Sequence, residues 1–230
     1  MGIHDGHRQR LIERFLKDDL EHFAQHEILE LVLFFSIPRQ DTNELAHRLI
    51  QTFGNLRGVL DAPYEQLLQV KGVGLHTAAL LKLLPAVNRE YARVDEVGAF
   101  AGTLDAAAAI LRPRFISQRD ELSYVLLVDS QSRCMGVELL NRGSVNATEV
   151  SVRRLVSLAL RYNAAGVVLA HNHPAGVATP SPEDVRNTNS LLRSLRGLNI
   201  LLLDHLVFDQ RGYTSMLSCG LLKQVGESSW

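Results

Sequence analysis

Apolar residues over 7–94 recur at helical spacing, and no stretch sustains strand-like alternation. "ERFLKDDLEHF" and "HEILELVLFFSI" predict two helices, the second closed by Pro38. "DTNELAHRLIQTFG" predicts a third, opened by Asp41 and Glu44 at capping-box spacing and stopped by Gly54. "APYEQLLQVKGVGLHTAALLKLLPAVNREYARV" predicts two more, joined by the turn "KGVG". Around "DEVGAF" the pattern loosens, and beyond it the periodicity changes. "TLDAAAAILRP" reads as a short helix, and "LSYVLLVD" and "RCMGVELLNR" as strands flanking a turn. "TEVSVRRLVSLALRYN" reads as a helix, "AGVVLAH" as a buried strand, and "SPEDVRNTNSLLRSLRGLN" as a helix. "ILLLDHLVFD" and "YTSML" close the chain as strands.

The expected organisation is therefore a small all-α domain over 1–94, a linker over 95–101, and an α/β (α+β) domain over 102–230. The 46% apolar and 21% charged composition is that of a globular protein, and a net charge of -1 supplies no global attraction for nucleic acid or an anionic membrane. Two cysteines, Cys134 and Cys219, are too few for a disulfide framework and lack CxxC spacing. The charged N-terminus does not resemble a signal peptide, and Gly6 stands where a myristoylation signal requires Ser or Thr. No apolar run approaches the roughly 18 residues of a membrane span. The expectation is a cytoplasmic protein without a membrane partner.

The densest chemistry lies in "AHNHPAGVATPSPED". Residues two apart on a strand face the same way, so His171 and His173 can address one point at a strand's carboxyl end. Asp184, eleven positions after His173 and in the first turn of the next helix, can supply a third ligand. A catalytic zinc takes three such ligands and leaves a position open. The same Ser181-Pro182-Asp184 run also reads as an ordinary helix N-terminus, with Ser as N-cap and Pro at N1.

His-x-His, seven residues, Ser, two residues and Asp resembles the JAMM signature of MPN-domain metallopeptidases. "YNAAGVVLAHNHPAG" and "LLLDHLVF" are similar, more narrowly, to the RadC family. Ala175 stands where that family usually has Ser. The resemblance implies an MPN/JAB-like, cytidine-deaminase-like mixed sheet with flanking helices, Zn2+ as cofactor, a peptide or protein substrate, and hydrolase activity. It also implies a glutamate general base ahead of the first strand, where "RDELSYVLLVDS" offers Glu121, with Glu138 and Glu149 as competitors. Ser181 matches the serine whose hydroxyl stabilises an oxyanion. His205 reads as a core residue or a neighbour of the metal ligands, and its partner Asp204 faces the other way.

"LLQVKGVGLHTAALLKLL" resembles a helix-hairpin-helix motif, which RadC-family proteins carry ahead of the metal domain. The resemblance makes Lys71, Gly72, Gly74 and His76 candidate nucleic-acid contacts, with DNA as a partner through the turn. Residues 1–94 hold about 11 Lys plus Arg against about 12 Asp plus Glu, a poor electrostatic footprint for phosphate. The alternative function is a DNA-binding, repair-associated protein whose zinc is structural or vestigial. A deaminase would need a glutamate two residues after a ligand and a CxxC pair, which are missing. The bare triplet "HNH" is a poor basis for a nuclease.

Overall fold

A computed structural model describes residues 3–38, 40–93, 96–143, 148–174 and 176–222; at 3–5 and 148–151 the backbone alone is described. The chain divides between residues 88 and 89 into two compact units.

The first unit is helical: α1 (Ile3–Asp18), α2 (Gln25–Ser36), α3 (Asn43–Phe53), α4 (Leu56–Asp61), α5 (Tyr64–Leu68) and α6 (Leu75–Tyr91), the last running past the division. Its core is built from one-turn pairs such as Leu29 and Leu33 on α2 and Leu45 and Leu49 on α3, closed by Val59, Leu67, Ala78 and Leu81. α3 ends at Gly54 with φ of 87°. Its start departs from the expected capping box. Thr42 is the N-cap, and the Asp41 carboxylate accepts the Asn43 N–H at 2.9 Å. A carboxylate one residue too early closes a local turn two residues long instead of capping the third amide. α1 stops at Asp18, and Asp19 and His22 take positive φ, so "DLEHF" is turn and loop rather than helix. α4 was not expected; its signal is Asn55, whose side chain accepts the Gly58 N–H.

The second unit holds α7 (Leu104–Leu111), β1 (Leu122–Val128), β2 (Cys134–Arg142), α8 (Thr148–Arg161), β3 (Gly166–Asn172), α9 (Pro182–Arg196), β4 (Leu201–Phe208) and β5 (Tyr213–Ser215). One sheet forms in the order β2-β1-β3-β4-β5. β3 and β4 run parallel across the α9 connection, and the other pairs are antiparallel, which is the expected mixed sheet with flanking helices.

Central β3 is buried along its whole length, which explains its uninterrupted apolar run. Val125, Leu127, Val167 and Leu169 pack against Leu155, Leu158 and Ala159 of α8 and Leu191 and Leu195 of α9. Leu126, Val128, Val168, Ala170, Leu206 and Phe208 face Ala107, Ala108 and Leu111 of α7 on the opposite side. Among the described residues, no helix is long and apolar enough to cross a membrane.

Candidate metal centre

His171 shares the α9-facing side of β3 with Leu169, and stands opposite Ser123 of β1 and Val207 of β4. His173 follows just past the strand, its N–H bonded to the Phe208 carbonyl at 2.8 Å. The two rings meet with their Nε2 atoms 3.0 Å apart. The other nitrogen of each ring is engaged elsewhere: His173 Nδ1 with the Val177 carbonyl at 2.9 Å, and His171 Nδ1 with His205 Nε2 at 2.8 Å. A carbonyl only accepts, so His173 carries its proton on Nδ1 and turns a bare Nε2 into the cluster.

Asp184 arrives from α9. Ser181 is the N-cap, Pro182 follows at N1, and Ser181 and Asp184 form a complete capping box. The Asp184 N–H reaches Ser181 Oγ at 3.1 Å, while the Ser181 N–H and hydroxyl both donate to Asp184 Oδ2 at 2.7 Å. The helix cap thereby also aims the carboxylate. Oδ1 stands 3.4 Å from His171 Nε2, and Oδ2 stands 3.7 Å from His173 Nε2. Burial by itself raises the Asp184 carboxyl's pKa, but the hydrogen bond and charge of His171 and the bonds from Ser181 outweigh it and hold the group ionised well below the usual carboxylate range.

Among the described residues, His171, His173 and Asp184 are a group of three whose donor atoms lie mutually within 4.8 Å. Four donors arranged tetrahedrally about 2.1 Å from a cation would be separated by about 3.4 Å; the two imidazole nitrogens are 3.0 Å apart, and each has a different Asp184 oxygen at 3.4 or 3.7 Å, values that bracket it. The bare Nε2 of His173 and the ionised Asp184 carboxylate are also chemical forms that ligate a divalent ion. The residues fit a metal.

Beside the cluster lies a cleft of about 80 Å³ that Glu121, Ser123, His171, Asp184, Thr188 and His205 help to line. Glu121 sits one residue before β1, and its carbonyl accepts the Gly143 N–H at 2.8 Å. Asn172, between the two histidines, is buried and clasps the backbone around Glu121: its Oδ1 accepts the Leu122 N–H at 2.8 Å, and its Nδ2 donates to the Asp120 carbonyl at 3.1 Å. Of the competing glutamates, Glu138 is bound by Arg161 and by the Tyr162 hydroxyl, each at 2.7 Å, and does not line this cleft. The Glu149 side chain and Ala175 lie outside the described residues.

His205 packs against His171 and is buried, whereas Asp204 on the other face accepts the Ser215 hydroxyl at 2.5 Å. Burial pushes the His205 pKa well down and pushes the Asp204 carboxyl's up. Sequence reasoning missed Asn172 and Thr188. A signal existed for Thr188, which stands one helical turn after Asp184 and so on the same face of α9.

In the first unit, Lys71, Gly72 and Gly74 lie in the turn between α5 and α6, and His76 is the second residue of α6. Gly72 takes φ of 100°, which a side chain rarely adopts, and the Lys71 carbonyl is held by Arg48 at 2.7 Å. Lys71 and His76 are exposed.

A mixed sheet of this order, with two histidines at the end of its buried parallel strand and an aspartate in the first turn of the next helix, defines a JAB/MPN-type domain. The chain belongs to the RadC family: the RadC-like JAB domain model matches residues 102–221, and the UPF0758 N-terminal model matches residues 6–79. It is 36% identical over 217 residues to a UPF0758 protein of Ruegeria pomeroyi and 30% identical over 227 residues to one of Fusobacterium nucleatum. Each comparison covers 94% of this chain and 97% of the relative.

Proposed function

We propose that the protein is a zinc-dependent hydrolase of peptide or isopeptide bonds, with His171, His173 and Asp184 as metal ligands and Glu121 as general base. The observation that carries this reading is the convergence of three donors, two imidazole nitrogens and one carboxylate, beside a cleft that also holds a glutamate. Three protein ligands next to open space are the pattern of catalytic zinc, whereas structural zinc is closed by four. When bound, zinc polarises a carbonyl and lowers the pKa of water to about 7.

The chain's own residues supply the rest. Glu121 takes a proton from the attacking water and returns it to the leaving amine nitrogen. Asn172 and Gly143 hold the backbone on either side of it, so the carboxylate works from a fixed base. The Ser181 hydroxyl, its proton directed to Asp184, keeps that carboxylate aimed at the histidines. This capping role is compatible with the oxyanion-stabilising role that the family resemblance implies for the same hydroxyl.

The test is hydrolysis of a peptide library and a lysine-isopeptide panel by the full chain, measured as purified, after chelation and after zinc is returned. Activity that stops with chelator and is restored by zinc is expected. Hydrolysis indifferent to chelator, or none from fully zinc-loaded protein, would contradict the reading.

A further inference from the structure

A chain of buried hydrogen bonds runs behind the metal ligands and joins two of them. The Thr188 Oγ1 atom lies 2.6 Å from the Asp184 carbonyl and 2.6 Å from His205 Nδ1, and His205 Nε2 lies 2.8 Å from His171 Nδ1. Thr188 is fully buried, His171 is 3% exposed and His205 is 9% exposed, so none of these bonds has bulk water as a ready substitute.

The sheet register builds this contact. β3 and β4 run parallel with His171 opposite Val207 and Leu169 opposite His205, which puts His205 on the α9-facing side, one side-chain step behind His171. Thr188 stands one turn after Asp184 on the helix above.

Donor counting sets the direction of the bonds at Thr188. The Asp184 carbonyl can only accept, and the threonine hydroxyl has one hydrogen to give. Its other acceptor is the Met216 sulfur at 3.7 Å, a weaker and more distant partner. With that hydrogen on the carbonyl, Thr188 can only accept from His205, so His205 carries a proton on Nδ1. Its remaining nitrogen, Nε2, meets His171 Nδ1 at 2.8 Å, and a histidine that ligates through Nε2 carries its hydrogen on Nδ1, so this bond runs from His171 to His205. The other nitrogen of His171, Nε2, is the one turned toward His173 and Asp184.

We propose that Thr188 and His205 are positioning residues that fix the tautomer and ring orientation of His171, through a relay anchored on the backbone carbonyl of its fellow ligand Asp184. The proposal deepens the metal-site reading and rests on it. It gives "LLLDHLVF" a task at the centre: a ring held from behind by a histidine, which is itself held by a hydroxyl. Loss of such a supporting partner typically weakens metal affinity 10- to 100-fold.

The full chain allows the relay and the metal site to be tested separately. Long-range 1H–15N correlation of the imidazoles in metal-free protein reads the tautomer directly. His171 protonated on Nδ1 is expected in the wild type and in Thr188→Ser, and a bare His171 Nδ1 in the wild type would overturn the proposal without reference to metal. Competition against a chromophoric chelator then reads zinc affinity. A 10- to 100-fold loss is expected in Thr188→Val and His205→Leu, with Thr188→Ser within a few-fold of wild type. Thr188→Val is near-isosteric and carries the test if His205→Leu does not fold. Wild-type affinity in Thr188→Val, with binding abolished in His171→Ala, would overturn the relay alone. Undiminished binding in His171→Ala would overturn the ligand assignment beneath it.

Discussion

Asn172→Leu removes the clasp on the residues flanking Glu121 while nearly preserving side-chain volume. Two hydrogen bonds are lost. The Leu122 N–H, at the buried start of β1, loses its acceptor, and leaving a buried amide unpaired costs about 1–3 kcal/mol. The Asp120 carbonyl loses a donor at a less enclosed position, worth about 1 kcal/mol. Burying extra apolar surface offsets part of this, so the net destabilisation should be about 2–3 kcal/mol. For a domain of about 150 residues that corresponds to a Tm lower by roughly 4–12 °C. Denaturant unfolding of metal-free protein measures it, since bound metal would add its own linkage. Amide exchange should locate the effect, with the Leu122 N–H losing protection ahead of the β1 interior. Asn172→Asp separates the halves, because it keeps the acceptor for Leu122 and loses the donor to Asp120. Stability of Asn172→Leu within about 0.5 kcal/mol of wild type, with Leu122 exchange unchanged, would refute the reasoning.

Three further outcomes are expected. Glu121→Gln should retain zinc while losing on the order of 10²- to 10⁴-fold in hydrolysis rate, and full activity would place the base elsewhere. The Tyr213 hydroxyl donates to Asp105 at 2.6 Å, and that hydrogen bond, with burial and the Asp105 charge adding to it, pushes the phenol up from 10.0 to about 12. A raised folded pKa means that the contribution of Tyr213 to stability is fully present below pH 10 and is lost as pH rises through about 12. Tyr213→Phe should therefore delete phenolate absorbance near pH 12, and a loss near pH 10 would contradict the tie between α7 and β5. For the turn at Lys71–Gly74, the near-balanced charge of the helical region predicts weak retention of duplex DNA by the full chain in a gel shift. Tight, salt-sensitive binding abolished by Lys71→Ala and Gly72→Val would contradict that.

The His171, His173 and Asp184 cluster was legible because its geometry is local. Alternation on one strand pairs His171 with His173, and a helix N-terminus eleven residues on brings Asp184 within reach. The N-cap and ligand readings of "SPED" are compatible, since the bonds that cap α9 also turn the carboxylate toward the histidines. What was hidden depends on pairing between distant segments. Alternation puts Asp204 and His205 on opposite faces, but which of them meets His171 follows from the β3–β4 register, 34 residues apart in sequence. Asn172 likewise acquires its role through the β1–β3 register, 50 residues away. In the helical unit, Asp41 and Glu44 had capping-box spacing but Thr42 took the cap, because a carboxylate can bond an amide two residues on as readily as three.

The most direct measurement is the metal content of the purified full chain and of His173→Ala, by mass spectrometry after dialysis against metal-free buffer. About one equivalent of zinc in the wild type and almost none in the variant is the expected result. Equal zinc in both proteins, or none in the wild type even after equilibration with zinc, would contradict a metal held by His171, His173 and Asp184.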